Sequence, residues 1–340
     1  MRVLITGAGG FLGSAIARQC LARGYEVFGL ARGHYPHLEA LGVKMRRGDI
    51  AELSALTEVL EEMRGVEEER GCGAIFHVAA KAGAWGSLEE YMSANVTGTL
   101  NVIEAAKRAG VPKLIYTSSP SVVHAGGDLE GVSEREVSYP THFAAHYPRT
   151  KAIAERAALE ANSPTLSVTA LRPHLIWGPG DQHLTPRLLA RADAGRLRHL
   201  APHKRVDSVY IDDAAHAHLC ALDALSPEAP CAGQAYFITQ GEPWPMGELI
   251  NGILEAHGRA PERRTLPPRL AYAVGALLEL TYGLLRLKSE PPMTRFIAEQ
   301  LSTAHWYDVS AAREELGFVA QRSIKEALET LKASVSARPE

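Results

Sequence analysis

With 340 residues, 46% of them hydrophobic, the chain can bury one large domain core and has room for a smaller appended lobe. Its 36 Lys and Arg against 39 Asp and Glu leave a formal charge of −3, with no basic excess for nucleic acid. Cys20, Cys72, Cys220 and Cys231 follow neither metal-ligand nor disulfide-framework spacing, so they read as reduced thiols of a cytoplasmic protein without a bound metal.

Residues 2–6 are a short apolar run of strand type, which leaves no room for a secretory leader ahead of them. An amphipathic helix is expected over 11–23, opening on Phe11 and Leu12. Between strand and helix lie Gly7, Gly10 and Gly13, spaced G-x-x-G-x-x-G. Such glycines permit positive φ, let backbone N–H groups approach a pyrophosphate, and let the helix pack tightly on the strand. Strand-like runs recur at 26–30, 44–46, 74–77, 113–117 and 167–172, alternating with helical patterns at 51–63, 89–108 and 147–161. That rhythm predicts an α/β fold, a Rossmann-type doubly wound parallel sheet. Glu67-Glu68-Glu69 with Arg70 reads as a solvated loop before the fourth strand.

After Arg172 the pattern becomes irregular. Pro173, Pro179, Gly180 and Pro186 mark loops, and 206–210 and 234–239 read as further strands. The dinucleotide-binding domain is therefore expected over 1–175 plus about 206–239. A smaller, discontinuous C-terminal substrate lobe takes about 176–205 and 240–330, and 331–340 forms a tail. A cleft between the lobes is the expected substrate site. Residues 266–287 are the most apolar stretch, but the uncharged piece 270–278 is too short to span a bilayer. It reads as a buried helix or hydrophobic lid, with Glu279 and Arg286 on one face; the alternative is peripheral contact with a membrane.

Tyr147-Pro148-Arg149-Thr150-Lys151 carries the chemistry. Tyrosine and lysine four apart share one helical face, and Pro148 suits a first turn, which places Tyr147 at the helix start. A tyrosine titrating near ~10 needs help to exchange protons at neutrality, and a lysine ammonium beside it favours the phenolate. Tyr116-Thr117-Ser118-Ser119 ends the fifth strand, where parallel sheets place ligands, so Ser119 is positioned to orient a carbonyl oxygen beside Tyr147. At the end of the second strand, Leu30-Ala31-Arg32-Gly33-His34 lacks the carboxylate that NAD-binding units use for the ribose 2′-hydroxyl. Arg32 can instead pair with a 2′-phosphate, so NADP(H) is the expected cofactor.

The chain resembles the extended short-chain dehydrogenase/reductases, in the branch of the 3β-hydroxysteroid and sterol-4-carboxylate dehydrogenases. The likeness rests on 6–13, Gly48-Asp49, His77-Val78-Ala79-Ala80, 95–99, 116–119, 147–151, Leu171-Arg172-Pro173, Gly178-Pro179-Gly180-Asp181 and 209–214. Residues 80–87, 175–181, Gly241-Glu242-Pro243, Thr294-Arg295-Phe296 and His305-Trp306-Tyr307 narrow it to the 2-alkyl-3-oxoalkanoate reductases of bacterial olefin biosynthesis. Val122-Val123-His124 stands where sugar-nucleotide members carry V-Y-G, and Thr150 replaces the commoner serine. The resemblance implies NADPH-dependent reduction of a lipid-like β-keto acid, with Tyr147, Lys151 and Ser119 catalytic. It implies cofactor contacts at Asp49, Ile50, Ala79, Ala80, Asn95, Pro173 and Ile176, and a homodimer built on 95–108 and 147–161.

A carboxylate substrate needs a cation, for which Lys81, His174 and Arg187 are candidates. Trp85, Trp177 and Trp306 are candidates for the wall of an apolar pocket, although isolated tryptophans are more often core. Competing readings are a sterol dehydrogenase, and a non-catalytic NADP sensor that the intact Ser119, Tyr147 and Lys151 argue against. Contact with a biosynthetic complex is a further expectation.

Overall fold

The computed structural model describes residues 1–64, 71–287 and 289–337. Its strands are β1 Arg2–Thr6, β2 Glu26–Ala31, β3 Lys44–Arg47, β4 Ala74–His77, β5 Lys113–Thr117, β6 Leu129–Val132, β7 Ser167–Pro173, β8 Ile176–Trp177, β9 Arg205–Val206, β10 Val209–Tyr210, β11 Ala235–Ile238, β12 Trp244–Pro245 and β13 His305–Tyr307. Its α-helices are α1 Phe11–Ala22, α2 Pro36–Ala40, α3 Leu53–Arg64, α4 Leu88–Tyr91, α5 Gly98–Ala109, α6 His146–Glu160, α7 Leu184–Asp193, α8 Ile211–Ala224, α9 Met246–Ala256, α10 Pro268–Leu284, α11 Arg295–Gln300, α12 Ser310–Leu316 and α13 Ile324–Ser336.

Seven parallel strands form the main sheet in the order β11-β7-β5-β4-β1-β2-β3. The strand order reverses between β1 and β4, and a ligand crevice opens at such a switch point. Alternate residues of β1 enter separate cores. Val3 and Ile5 pack on the side of α1 and α8, while Leu4 joins Leu56, Leu60 and Val102 on the side of α3 and α5. Both faces are buried, as an all-parallel sheet requires.

A second sheet, β12-β9-β13-β6, brings together strands far apart in sequence, two of them (β6 and β13) unmarked by any strong local pattern. The 206–210 run divides into β9 and β10, which belong to different sheets. Residues 89–108, expected as one helix, form α4, a π-helical stretch Met92–Thr97, and α5. Residues 331–336 complete α13, with Leu331 fully buried, so they are not tail; 338–340 lie outside the described residues, as does the Glu67–Arg70 run.

The apolar 266–287 stretch is not a buried helix. In α10 only Ala271 and Gly275 are buried, while Leu277 is 61% and Leu284 74% exposed. Gly275 explains the orientation, since a Cβ there would lie 2.7 Å from the Thr294 backbone. Glu279 pairs with Arg295 at 2.6 Å, and Arg286 lies past the helix end rather than on its face. Among the described residues no helix is long and apolar enough to cross a membrane.

Candidate active site

The glycine turn is built for close approach. Gly7 takes φ +71° and donates to the Leu30 carbonyl, and a Cβ at Gly13 would lie 2.2 Å from the Gly7 carbonyl oxygen. The N-terminus of α1 has no side-chain cap and no acidic residue in its first turn, so its N–H groups remain available to an anion. Around the turn runs a cleft of about 460 Å³ at the C-terminal ends of β1, β2, β4, β5 and β7. Gly7, Gly10, Phe11, Leu12, Gly13, Arg32, Asp49, Ile50, Ala79, Ala80, Tyr147, Lys151, Pro173 and Ile176 all line it. The cradle fits a dinucleotide pyrophosphate, because a side chain at Gly7 or Gly13 would collide with backbone.

Asn95 is the exception among the expected cofactor contacts. Buried in the π-helical stretch, it accepts from the Lys81 backbone N–H at 2.7 Å and donates to the Lys81 carbonyl and to Thr150 Oγ1, both at 3.1 Å. It therefore joins the loop after β4 to the helix turn before Lys151. Tyr35 and Leu175 line the cleft without having been expected. A Cβ at Gly9 would come 2.1 Å from the Tyr35 ring, so Gly9 and Gly33 leave room for that ring against the turn. Leu175 holds φ 41°, a strained conformation for a leucine, at the cleft wall.

Arg32 is freely exposed at the end of β2, 3.9 Å from Asp49, and the Arg47 guanidinium donates to its backbone carbonyl at 3.0 Å. Two arginines thus meet past the end of β2, where residues 27–34 carry no carboxylate and Asp49 lies beside Arg32.

Tyr147 begins α6, beside Ser119. Ser119 caps a short 3₁₀ turn, accepting from the Ser121 N–H, with its hydroxyl 3.0 Å from that of Ser121. Burial raises the Tyr147 pKa, and its hydrogen bond with Ser119 opposes the rise. Lys151 Nζ donates to the Thr117 carbonyl at 2.7 Å and lies 4.2 Å over the Tyr116 ring. Burial lowers its pKa to about 7, against the pull of Glu155. The expected depression of the tyrosine by the lysine is not seen: burial dominates both groups, and at Tyr147 it is Ser119 that opposes it. Behind Lys151, buried Glu155 is forked by Arg172 at 3.0 and 2.6 Å and accepts from Tyr139 Oη at 2.7 Å.

The expected substrate residues divide. Lys81 lines the cleft but is 3.3 Å from Glu90 and sits over the Tyr91 ring. Trp85 donates to the Leu287 carbonyl at 3.0 Å and meets Tyr282 edge-on, tying the 81–86 loop to the end of α10. Arg187 forks Glu290, whose carboxylate also takes the Ala84 N–H. His174 is misplaced for the role. It is buried against the His305 and Tyr307 rings, 4.8 and 5.4 Å away, and burial holds its pKa well below the usual range. It is therefore a neutral core residue and no counter-charge. Trp177 is fully buried, donating to Ser208 Oγ at 3.0 Å, and Trp306 packs on Gly131 in the second sheet.

A dinucleotide cleft floored by tyrosine, serine and lysine is what carbonyl–alcohol exchange with a nicotinamide requires. A profile of the 3-beta hydroxysteroid dehydrogenase/isomerase family matches residues 4–269. The chain belongs to that family. It is an oxidoreductase acting on hydroxyl and keto groups. It is 50% identical over 339 residues to a 2-alkyl-3-oxoalkanoate reductase of Stenotrophomonas maltophilia, covering 99% of this chain and 100% of the relative. It is 46% identical over 340 residues to a protein of the same name from Shewanella oneidensis, covering 97% of this chain and 85% of that one. The fold is similar to that of WbmH from Bordetella bronchiseptica, solved in complex with NAD+, with a TM-score of 0.74 and 20% identity over 99% of both chains.

Proposed function

We propose that the protein uses NADPH to reduce the 3-keto group of a long-chain 2-alkyl-3-oxoalkanoic acid to the 3-hydroxy acid, a step of olefin biosynthesis. The observation that carries this is the 50% identity to a reductase of that name across its whole length, the substrate lobe included. Arg32 and Arg47 at the adenosine end of the cleft support NADPH over NADH, because guanidinium pairs favourably with a 2′-phosphate.

The glycine turn and the N-terminus of α1 would hold the pyrophosphate, Arg32 the 2′-phosphate and Lys151 the nicotinamide ribose. When bound, the reduced nicotinamide supplies the hydride to the ketone carbon. Ser119 donates a hydrogen bond to the carbonyl oxygen and fixes it beside Tyr147. Tyr147 then gives that oxygen its phenolic proton. Its raised pKa keeps the proton in place until negative charge develops on the substrate oxygen, which suits the reductive direction. The ammonium of Lys151 stabilises the phenolate that results.

Oxidation of a 3β-hydroxysteroid or sterol-4-carboxylate is the second reading, supported by the family profile. One assay separates them: NADPH consumption with a 2-alkyl-3-oxo acid against NAD+ reduction with a 3β-hydroxysteroid. Turnover of the steroid and none of the keto acid overturns the proposal.

A further inference from the structure

α7 joins the catalytic cleft to a second cavity. At its start the Asp181 carboxylate accepts from the backbone N–H groups of His183, Leu184 and Thr185 at 2.8, 3.2 and 2.7 Å, and Asp181 and His183 line the cofactor cleft. Ten residues carry the helix about 15 Å onward. There its far half, with α9 and α10, encloses a space of about 450 Å³ that shares no lining residue with the cofactor cleft. That volume lies within the range of small-molecule sites, roughly 300–1,000 Å³.

The walls are apolar. Leu188 and Leu197 close one side, Ile250 another, and Leu278, Met293 and Leu266 the side under α10. Of the polar residues around it, Arg191 donates to the Pro292 carbonyl and Arg198 to the Gly195 carbonyl, and Arg196 stands at the rim. His199 Nε2 meets the Glu262 carbonyl, leaving Nδ1 without a partner. Walls that are mainly apolar favour hydrocarbon.

A strap, residues 290–292, is pinned along α7, and its Pro292 lines the cavity. Arg187 and Arg191, one helical turn apart, hold Glu290 and Pro292 respectively. Glu290 also takes the backbone N–H of Ala84, two residues from cleft-lining Ala82. From cleft-lining Asp181 and His183, α7 thus runs past this strap to the apolar cavity.

We propose that the cavity between α7, α9 and α10 receives one alkyl chain of the substrate. This rests on the keto-acid reductase reading above, which supplies a substrate whose chains need burial.

Two substitutions fill the cavity from opposite walls, Ile250→Trp from α9 and Leu278→Trp from α10. Each is assayed as the NADPH-loaded enzyme on a long-chain 2-alkyl-3-oxo acid and on 2-methyl-3-oxobutanoate. The long-to-short ratio of kcat/KM falls about tenfold or more, the factor that losing two buried methylenes produces. A ratio equal to wild type in both variants overturns the proposal. A readout without turnover uses dansylaminoundecanoic acid as a fluorescent probe: wild type binds it, and each folded variant binds it about tenfold more weakly. No binding to wild type, or binding unchanged in both variants, also overturns it. A wild type that binds the probe through this cavity but reduces no 2-alkyl-3-oxo acid removes the reductase reading and leaves the cavity standing. Normal reduction with an unchanged ratio does the reverse.

Discussion

Lys151 Nζ lies 2.7 Å from the carbonyl oxygen of Thr117, the last residue of β5, so the C-terminal end of that strand holds the ammonium one helical turn on from Tyr147. That grip is made at a cost. Burial depresses the lysine from 10.5 to about 7. Between those two values the unfolded chain carries a proton that the folded chain does not, so stability rises with pH across that window. Below about 7 both states are charged and the penalty of burying the ammonium is present in full. For cofactor-free protein, unfolding free energy measured by urea from about pH 7 to about pH 9 should climb by up to ~1.4 kcal/mol per unit from this group. Lys151→Met removes that component. Equal slopes in the two proteins would show that another group is responsible.

Tyr147→Phe deletes the proton donor and keeps the ring. Loss of a general acid lowers kcat by about 10²–10⁴. NADPH affinity, read by fluorescence titration, stays near wild type because the pyrophosphate cradle is Gly7, Gly10 and Gly13 at the far side of the cleft. A variant with full turnover would remove Tyr147 from the mechanism.

Arg32→Ser leaves the 2′-phosphate with Arg47 alone as a neighbouring cation. A hydrogen bond to a charged group contributes about 1.5–3 kcal/mol, so KM for NADPH rises roughly 10- to 150-fold. KM for NADH, which carries no such phosphate, changes little. Kinetics with both cofactors at saturating keto acid decide it, and an equal rise for both assigns Arg32 to adenine stacking instead.

Glu155 and Arg172 form a charge pair with side chains 0% and 6% exposed. Removing one partner strands the other, and Arg172→Leu should cost about 3–5 kcal/mol of unfolding free energy. The double variant Glu155→Leu with Arg172→Leu should recover part of that loss, because no buried charge remains. Urea denaturation of the single and double variants measures the difference. A double variant less stable than the sum of the singles contradicts the pairing.

The glycine turn and the Tyr147–Lys151 pair were legible because each is a local spacing whose geometry follows from one turn or one helix. The parallel sheet was legible from the strand–helix rhythm. The resemblance assigned Asn95 to the cofactor, whereas its bonds to Lys81 and Thr150 join residues 14 and 55 apart, a relation no local pattern carries. His174 follows Pro173 directly, yet β7 ends at Pro173 and the chain turns at Leu175 with φ 41°, so Pro173 and Leu175 line the cleft while His174 enters the core. The latch between Arg187 and Glu290 spans 103 positions and shows a cation already neutralised. For α10, apolarity alone did not indicate which side meets the protein, because leucines occur on all of them. The glycine at 275 held that information.

Gly275 supplies the last test, since it fixes how α10 sits. Its missing side chain lets the helix lie directly on the Thr294–Arg295 backbone, with 2.7 Å to the Thr294 carbonyl carbon for any added Cβ. Gly275→Val forces the two segments apart, and overpacking of this kind costs about 1–3 kcal/mol. Two residues along, Leu277 is 61% exposed and supports no packing. Leu277→Lys should therefore change stability by no more than about 0.5 kcal/mol. Urea denaturation of both variants tests the orientation of the helix without reference to its function. If Leu277→Lys proves the more damaging, the leucine stripe is packed in solution rather than exposed.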